Sequence, residues 1–349
     1  MDAAPSRQVM LIFGEIEKFG HVADPLRKDV SAVTRVGDAL FTSCDEFASV
    51  DRLTPEGDAW GNHVHFALGD ILDLPGGPDG EMDIEGLMAD KGWLWVVGSH
   101  GLKRGKPDGD AQEAMDSLAE IKRDPNRMFL GRIPLAERDG APTLVAEDGE
   151  RRVQTIRLHP RKSQLRKWLR GDEHIGPFLA LPCKENGLDI EGIAARGMRV
   201  WLGLRGPVLS EMAVVLEFDF RVTAAGHLKA RRIDGKRRYR KHLIPTRGLG
   251  IRDLELEGDD LILLTAPVTA ADGVAAIRRW RGAVHVTSSG FVAEDDVELI
   301  CGLPYCGRHD HPEGVVQWED GGWLVIYDSP APERLENSPA RLLADIWKG

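Results

Sequence analysis

The chain has 349 residues, 42% of them hydrophobic and 29% charged, the balance of a folded globular protein rather than a disordered or fibrous one. That length exceeds one ordinary compact core, so either two domains or one closed, modular architecture is expected. Forty-five Lys and Arg against 56 Asp and Glu give a net charge of −11, which disfavours non-specific contact with nucleic acid or anionic membrane.

The first predicted element is a strand over residues 8–14. Its apolar run is too brief for the core of a signal peptide, and no stretch reaches the ~18 apolar residues of a membrane span. Cys44, Cys183, Cys301 and Cys306 form no zinc-type C-x-x-C pair, so a reduced, cytoplasmic protein is expected. Cys301 and Cys306 are read as apolar filler.

Five segments then share one grammar: a polar approach, an apolar strand, a glycine turn and a second apolar strand. They begin at Asp29, Asp83, Asp189, Gly250 and His311, separated by 54, 106, 61 and 61 residues. Three of them carry Glu-Gly in the approach, as Glu85-Gly86, Glu191-Gly192 and Glu313-Gly314. The other two read Ser31-Ala32 and Arg252-Asp253 instead. Third strands are predicted over 128–135, 212–220, 274–281 and 341–347, and fourth strands ending at Pro75, Pro182, Pro245 and Pro304.

Four short strands per unit, repeated around an axis, predict an all-β fold: one β-propeller domain over 1–349, built of four-stranded antiparallel sheets. Each blade hides its faces against its neighbours, with Trp95, Trp201, Trp280, Trp323 and Trp347 on the packing surfaces. The C-terminal unit has only three strands, so the N-terminal strand is expected to complete it and remove the last open edge. The 106-residue interval holds either a degenerate sixth blade or helical excursions. Five blades with helical insertions at 104–126 and 150–176 are expected, with helices over 110–123 and 162–169. The basic stretch 151–170 forms a local cationic surface, and 229–241 reads as the solvated face of an outer hairpin.

In a propeller, the loops leading into the innermost strands and those leaving the second strands open on one face. The first set brings Asp29, Asp83, Glu85, Asp189, Glu191, Asp253, His311 and Glu313 to one mouth. The second brings Asp45, Glu46, Ser99, His100, Arg205, Asp328 and Ser329. Two like charges ~4 Å apart repel by about 4 kcal/mol at an effective dielectric near 20. A bound cation, neighbouring arginines or protonation must offset that repulsion. Oxygen-only donors suit Ca²⁺ or Mg²⁺, whereas participation of His309, His311 and His100 would shift the preference to Zn²⁺ or Mn²⁺. His100 is the candidate proton carrier, and Arg205 or Arg252 the grip on an anionic substrate. The alternative is structural: each Glu-Gly ties down its own turn, with glycine supplying an unusual φ. Phosphate-loop, G-x-S-x-G and H-E-x-x-H motifs are absent.

The segments Asp83-Ile84-Glu85-Gly86 and Asp189-Ile190-Glu191-Gly192, each followed by a Trp-bearing strand, resemble the signature of phytase-like and related calcium-binding propellers. They are also similar to bacterial propeller proteins whose domain has no assigned function. The resemblance implies a polar, cation-binding mouth in which ester or phosphoester hydrolysis has precedent. The departures at Ser31 and Arg252 imply that no full ring of ligands is present. The resulting expectation is a divalent-cation-dependent hydrolase of a small anionic or ester substrate. Glu85, Glu191 and Glu313 would hold the cation with Asp83, Asp189 or His311, while His100 moves protons and Arg205 grips substrate. The alternative is a non-catalytic scaffold or a module that binds a ligand or protein partner. Fold alone decides neither.

Overall fold

The computed structural model describes residues 4–14, 26–269 and 271–349; the side chains of Cys306 and Asp320 lie outside the described residues. The repeat units become sheets. The first comprises Val30–Val36, Ala39–Cys44, Ser49–Glu56 and Ala59–Ala67. The second comprises Ile84–Asp90, Trp93–Gly98, Leu130–Arg138 and Ala141–Leu144. Asp189–Arg196, Arg199–Leu209, Met212–Val222 and Arg240–Pro245 make the third. The fourth runs through Gly250–Glu257, Asp260–Ala266, Gly273–Trp280 and Val297–Cys306. In the fifth, His311–Gln317, Trp323–Asp328 and Arg341–Trp347 are completed by Arg7–Ile12.

All four-strand paths are antiparallel. The hairpin between the first two strands of each sheet turns on a glycine with positive φ: Gly37, Gly92, Gly197, Gly258 and Gly321, at 56°, 77°, 64°, 57° and 71°. Only glycine adopts that region without steric cost, which explains the glycine that marks each repeat.

The core is divided among the interfaces between sheets. One buried apolar cluster joins the first sheet to the second, and others join second to third, third to fourth, fourth to fifth, and fifth back to first. Trp95, Trp201, Trp280, Trp323 and Trp347 lie in these clusters, all at 2% exposure or less. Ring closure follows from the N-terminal strand, where Val9 pairs with Ala344 and Leu11 with Leu342.

The long interval between Gly98 and Asp189 adds no further four-stranded sheet among the described residues. It holds the helix Ala111–Ala119, none of whose residues is buried, and the shorter helix Gln164–Leu169, which buries Leu165 and Leu169. The first helix stops before the predicted 123, because Ile121–Lys122 pairs with Lys103–Arg104. Two predicted strand ends are corrected. Pro75 lies beyond the 3-10 turn Leu68–Asp70, and Pro182 follows the 3-10 turn Gly176–Ala180. At those positions the apolar-Pro pair marks the chain leaving one sheet for the next, where no ladder donor is needed. Among the described residues no helix is long and apolar enough to cross a membrane.

Candidate functional site

The innermost strand of every sheet slips register by one residue at the same place. The extra residues are Ser31, Glu85, Glu191, Arg252 and Glu313. A bulge of this kind re-aims one side chain out of the regular alternation, and here the re-aimed side chains meet one another. The glycine after each glutamate has a separate cause. A Cβ on Gly192 would stand 2.7 Å from the Leu254 nitrogen and 2.8 Å from the Asp253 carbonyl carbon, and one on Gly86 would stand 2.9 Å from Ile193 Cγ2. None of Gly86, Gly192 and Gly314 has positive φ. Close approach of the next inner strand, not an unusual φ, requires glycine there.

Three arginines thread the carboxylates. Arg205 places Nη2 2.5 Å from Asp189 Oδ2 and Nη1 2.7 Å from Glu191 Oε1. Arg252 Nε lies 2.9 Å from Glu191 Oε2 and donates to Glu313 Oε2 at 2.7 Å. Arg127, buried in the 3-10 turn Asn126–Met128, is paired with Asp83. Burial pushes Glu191 up to about 7 even though Arg205 and Arg252 pull the other way. Asp189 is likewise raised by burial against the pull of Arg205.

One corner of the hub is left acidic. Asp45, which follows the second strand of the first sheet, meets Asp83 and Glu85, and one carboxylate oxygen from each lies within 4.8 Å of the others. Arg127 serves Asp83, but no Arg or Lys among the described residues is paired with Asp45 or Glu85. Burial raises the Glu85 carboxyl well above the carboxylate range, and Asp45, Asp83 and Glu191 raise it further. Asp45 is raised in the same way by burial and then by Asp83 and Asp328. The Ser31 hydroxyl closes this side of the ring, donating to the Ile84 carbonyl at 2.5 Å.

The other predicted residues are placed differently. His100 is fully buried, and its Nε2 donates to the Phe129 carbonyl at 3.0 Å while Nδ1 lies 3.4 Å from Ser163 Oγ. Burial, with Arg166 nearby, lowers it to about 3. It is therefore a neutral, bonded interior group and does not present a titrating nitrogen to the carboxylates. His311 Nε2 donates to the Gly307 carbonyl at 2.9 Å, and Asp328 beside it raises its affinity for a proton. Neither histidine joins the acidic corner. Glu313 is engaged by Arg252, and Asp253 joins two sheets by accepting from the Leu254 and Val315 amides at 2.7 and 2.8 Å.

Two further ligand-like groups went unread in the sequence. Asp51 Oδ1 accepts from His63 Nε2 at 2.7 Å and His65 Nδ1 at 2.8 Å. The second is Asp172, Glu173 and His174; Asp172 accepts from Lys241 Nζ at 2.7 Å and the Tyr239 hydroxyl at 2.6 Å, and Lys241 Nζ lies 2.7 Å from His174 Nδ1, so an ammonium already fills that site. Strand alternation over Asn62–Phe66 was the available signal for the first, and the run Asp172-Glu173-His174 for the second, whose occupant Lys241 is remote in sequence.

Residues 29–345 match the model of a family described as "Protein of unknown function (DUF3616)". The chain belongs to this family. No curated protein matches it. Among solved structures, the glutaminyl cyclase of Myxococcus xanthus is 10% identical with a TM-score of 0.40, covering 99% of this chain and 100% of its own. A streptogramin B lyase is 10% identical with a TM-score of 0.36, over the whole of both chains. An engineered GH43 glycoside hydrolase is 12% identical with a TM-score of 0.43, over 94% of this chain and 51% of the enzyme. At these values no activity passes from those proteins to this member of the DUF3616 family.

Proposed function

We propose that the hub binds one divalent cation, Ca²⁺ by preference, and that the protein hydrolyses a small anionic or ester substrate there, a phosphoester being the leading class. The observation that carries this reading is the convergence of Asp45, Asp83 and Glu85 from two sheets, with two of the three lacking a cationic partner among the described residues. The donors are all oxygens, which fits Ca²⁺ or Mg²⁺ better than Zn²⁺. When bound, such a cation would polarise the scissile oxygen. Asp45 and Glu85 offer unneutralised oxygens, and Arg127 fixes the orientation of Asp83. Glu191, held between Arg205 and Arg252 and raised to about 7, replaces His100 as the group that can take or give a proton near neutrality. Arg205 then positions Glu191 rather than gripping substrate.

The burial of His100 favours a second reading, a ligand-binding propeller without catalysis. Elemental analysis and thermal melts of the purified protein, Glu85→Gln and Asp45→Asn separate these outcomes. The proposal expects one Ca²⁺ per wild-type chain, a lower melting temperature with chelator, and loss of the ion in both variants. In chelator, Glu85→Gln should melt no lower than wild type, because a buried repulsion has been removed. Turnover of an aryl phosphate or aryl ester should require Ca²⁺ and vanish in Glu191→Gln with the ion still bound. No ion and no chelator effect would discard the hub site, whereas a bound ion without turnover would leave the binding module.

A further inference from the structure

The insertions of the second sheet meet beside Leu102 around a cavity of about 510 Å³. Its wall carries Arg123 from the first insertion and Arg161, Lys162, Arg166, Lys167 and Arg170 from the second, and no acidic residue lines it. None of the six has an ion pair among the described residues, in a chain whose acids outnumber its bases by 56 to 45. Arg123 keeps Nε and Nη2 buried without a hydrogen-bond partner. Unmet guanidinium donors out of contact with water, and like charges drawn together without counter-charge, both cost stability. Part of the wall is nonetheless anchored. Arg166 donates through Nη1 to the His100 carbonyl at 2.6 Å and through Nη2 to the Leu179 carbonyl. Leu165 and Leu169 anchor the helix Gln164–Leu169 in the core between the second and third sheets. Burial, with Arg123 beside it, lowers Arg166 to about 10.

We infer that this cavity is a binding site for a compact polyanion, a small molecule bearing two or more phosphate groups. Guanidinium forks match phosphate oxygens in pairs, and the volume lies in the range of roughly 300–1,000 Å³ typical of small-molecule sites. A nucleic-acid strand fits less well, because the cationic wall is concave and bounded while the net charge of −11 repels a long polyanion. The inference is independent of the cation at the hub.

Calorimetric titration with inorganic pyrophosphate, in chelator so that hub and ligand do not compete for metal, tests it. Wild type should bind, and affinity should fall as salt rises. Arg123→Gln and Lys167→Gln should each weaken binding about tenfold while melting no lower than wild type without ligand, since each relieves repulsion. Glu85→Gln should bind pyrophosphate as wild type does, which keeps this result separate from the fate of the hub proposal. Absence of pyrophosphate binding, equal binding by the variants, tighter binding of citrate, or binding of a single-stranded oligonucleotide but not pyrophosphate would each overturn the inference.

Discussion

A carboxylate taken out of water needs a counter-charge, a hydrogen bond or a proton, and the hub meets that need unevenly. Arg127, Arg205 and Arg252 serve Asp83, Asp189, Glu191 and Glu313, while Asp45 and Glu85 are left to one another. Arg252 is the pivotal cation because it bridges glutamates from the sheets on either side of its own. Arg252→Met should destabilise the protein by about 3–5 kcal/mol at alkaline pH, the usual cost of stranding a buried charge. The sign of the pH dependence follows from Glu191. Its folded-state value, about 7, lies above that of an unfolded glutamate, so its contribution is fully present in acid and lost as pH rises through 7. Removing Arg252 raises that value further, so the deficit of the variant should grow from pH 6 to pH 9. Urea denaturation of both proteins across that range measures it, and a deficit that shrinks with pH would contradict the bridging role. Residue by residue, the repeat made Glu85, Glu191 and Glu313 visible as equivalents, and the break in the motif at Arg252 supplies the cation for Glu191 and Glu313. Arg127 left no such trace, since it stands in a turn with no counterpart in the other repeats. The burial of His100 left no trace either, because Ser163 and Phe129, which enclose it, are remote in sequence.

Among the elements, the inner strand with its bulge determines the site. The bulge turns the glutamate toward its neighbours, and the next residue must then let the adjacent inner strand pass. Backbone atoms, which cannot move aside as a side-chain tip can, crowd the position of a Cβ on Gly192. Gly192→Ala should therefore cost about 1–3 kcal/mol. Gly302→Ala, on the outer strand Val297–Cys306 with nothing within 4 Å of its Cβ, should stay within about 0.5 kcal/mol of wild type. Equal effects in chemical denaturation would remove close approach as the reason for Glu-Gly. The sequence pattern showed where these strands begin but not that they bulge, because a bulge is a relation between two strands. The insertions were legible as helices from apolar spacing, yet their lengths were not. The pairing of Ile121–Lys122 with Lys103–Arg104 ends one helix, and core burial of Leu165 and Leu169 defines the other.

For the whole molecule, stability lies in interfaces between sheets, so closing the ring gives every sheet two neighbours and removes the terminal positions at which an open array would fray. The regular spacing of the repeats made this architecture readable, and the incomplete last unit indicated how it closes. The long interval stayed ambiguous because irregular insertions carry no period. The strand Arg7–Ile12 makes closure a discrete, removable contact: Val9, Leu11 and Phe13 are buried at 4%, 0% and 1% exposure. Leu11→Ala should cost about 2–5 kcal/mol through the cavity it leaves. Deleting residues 1–13 should do something different in kind. It would uncover the edge of Arg341–Trp347, and an unpaired edge recruits other chains. The truncated protein should lose cooperativity in urea and move to larger species on gel filtration, whereas Leu11→Ala should remain cooperative at a lower midpoint. A synthetic peptide spanning residues 4–14, added to the truncated protein, should restore both the sharp transition and the original elution volume. Failure of that peptide to bind, with the truncated chain still melting as one sharp unit, would mean that the other four interfaces hold the ring shut without it.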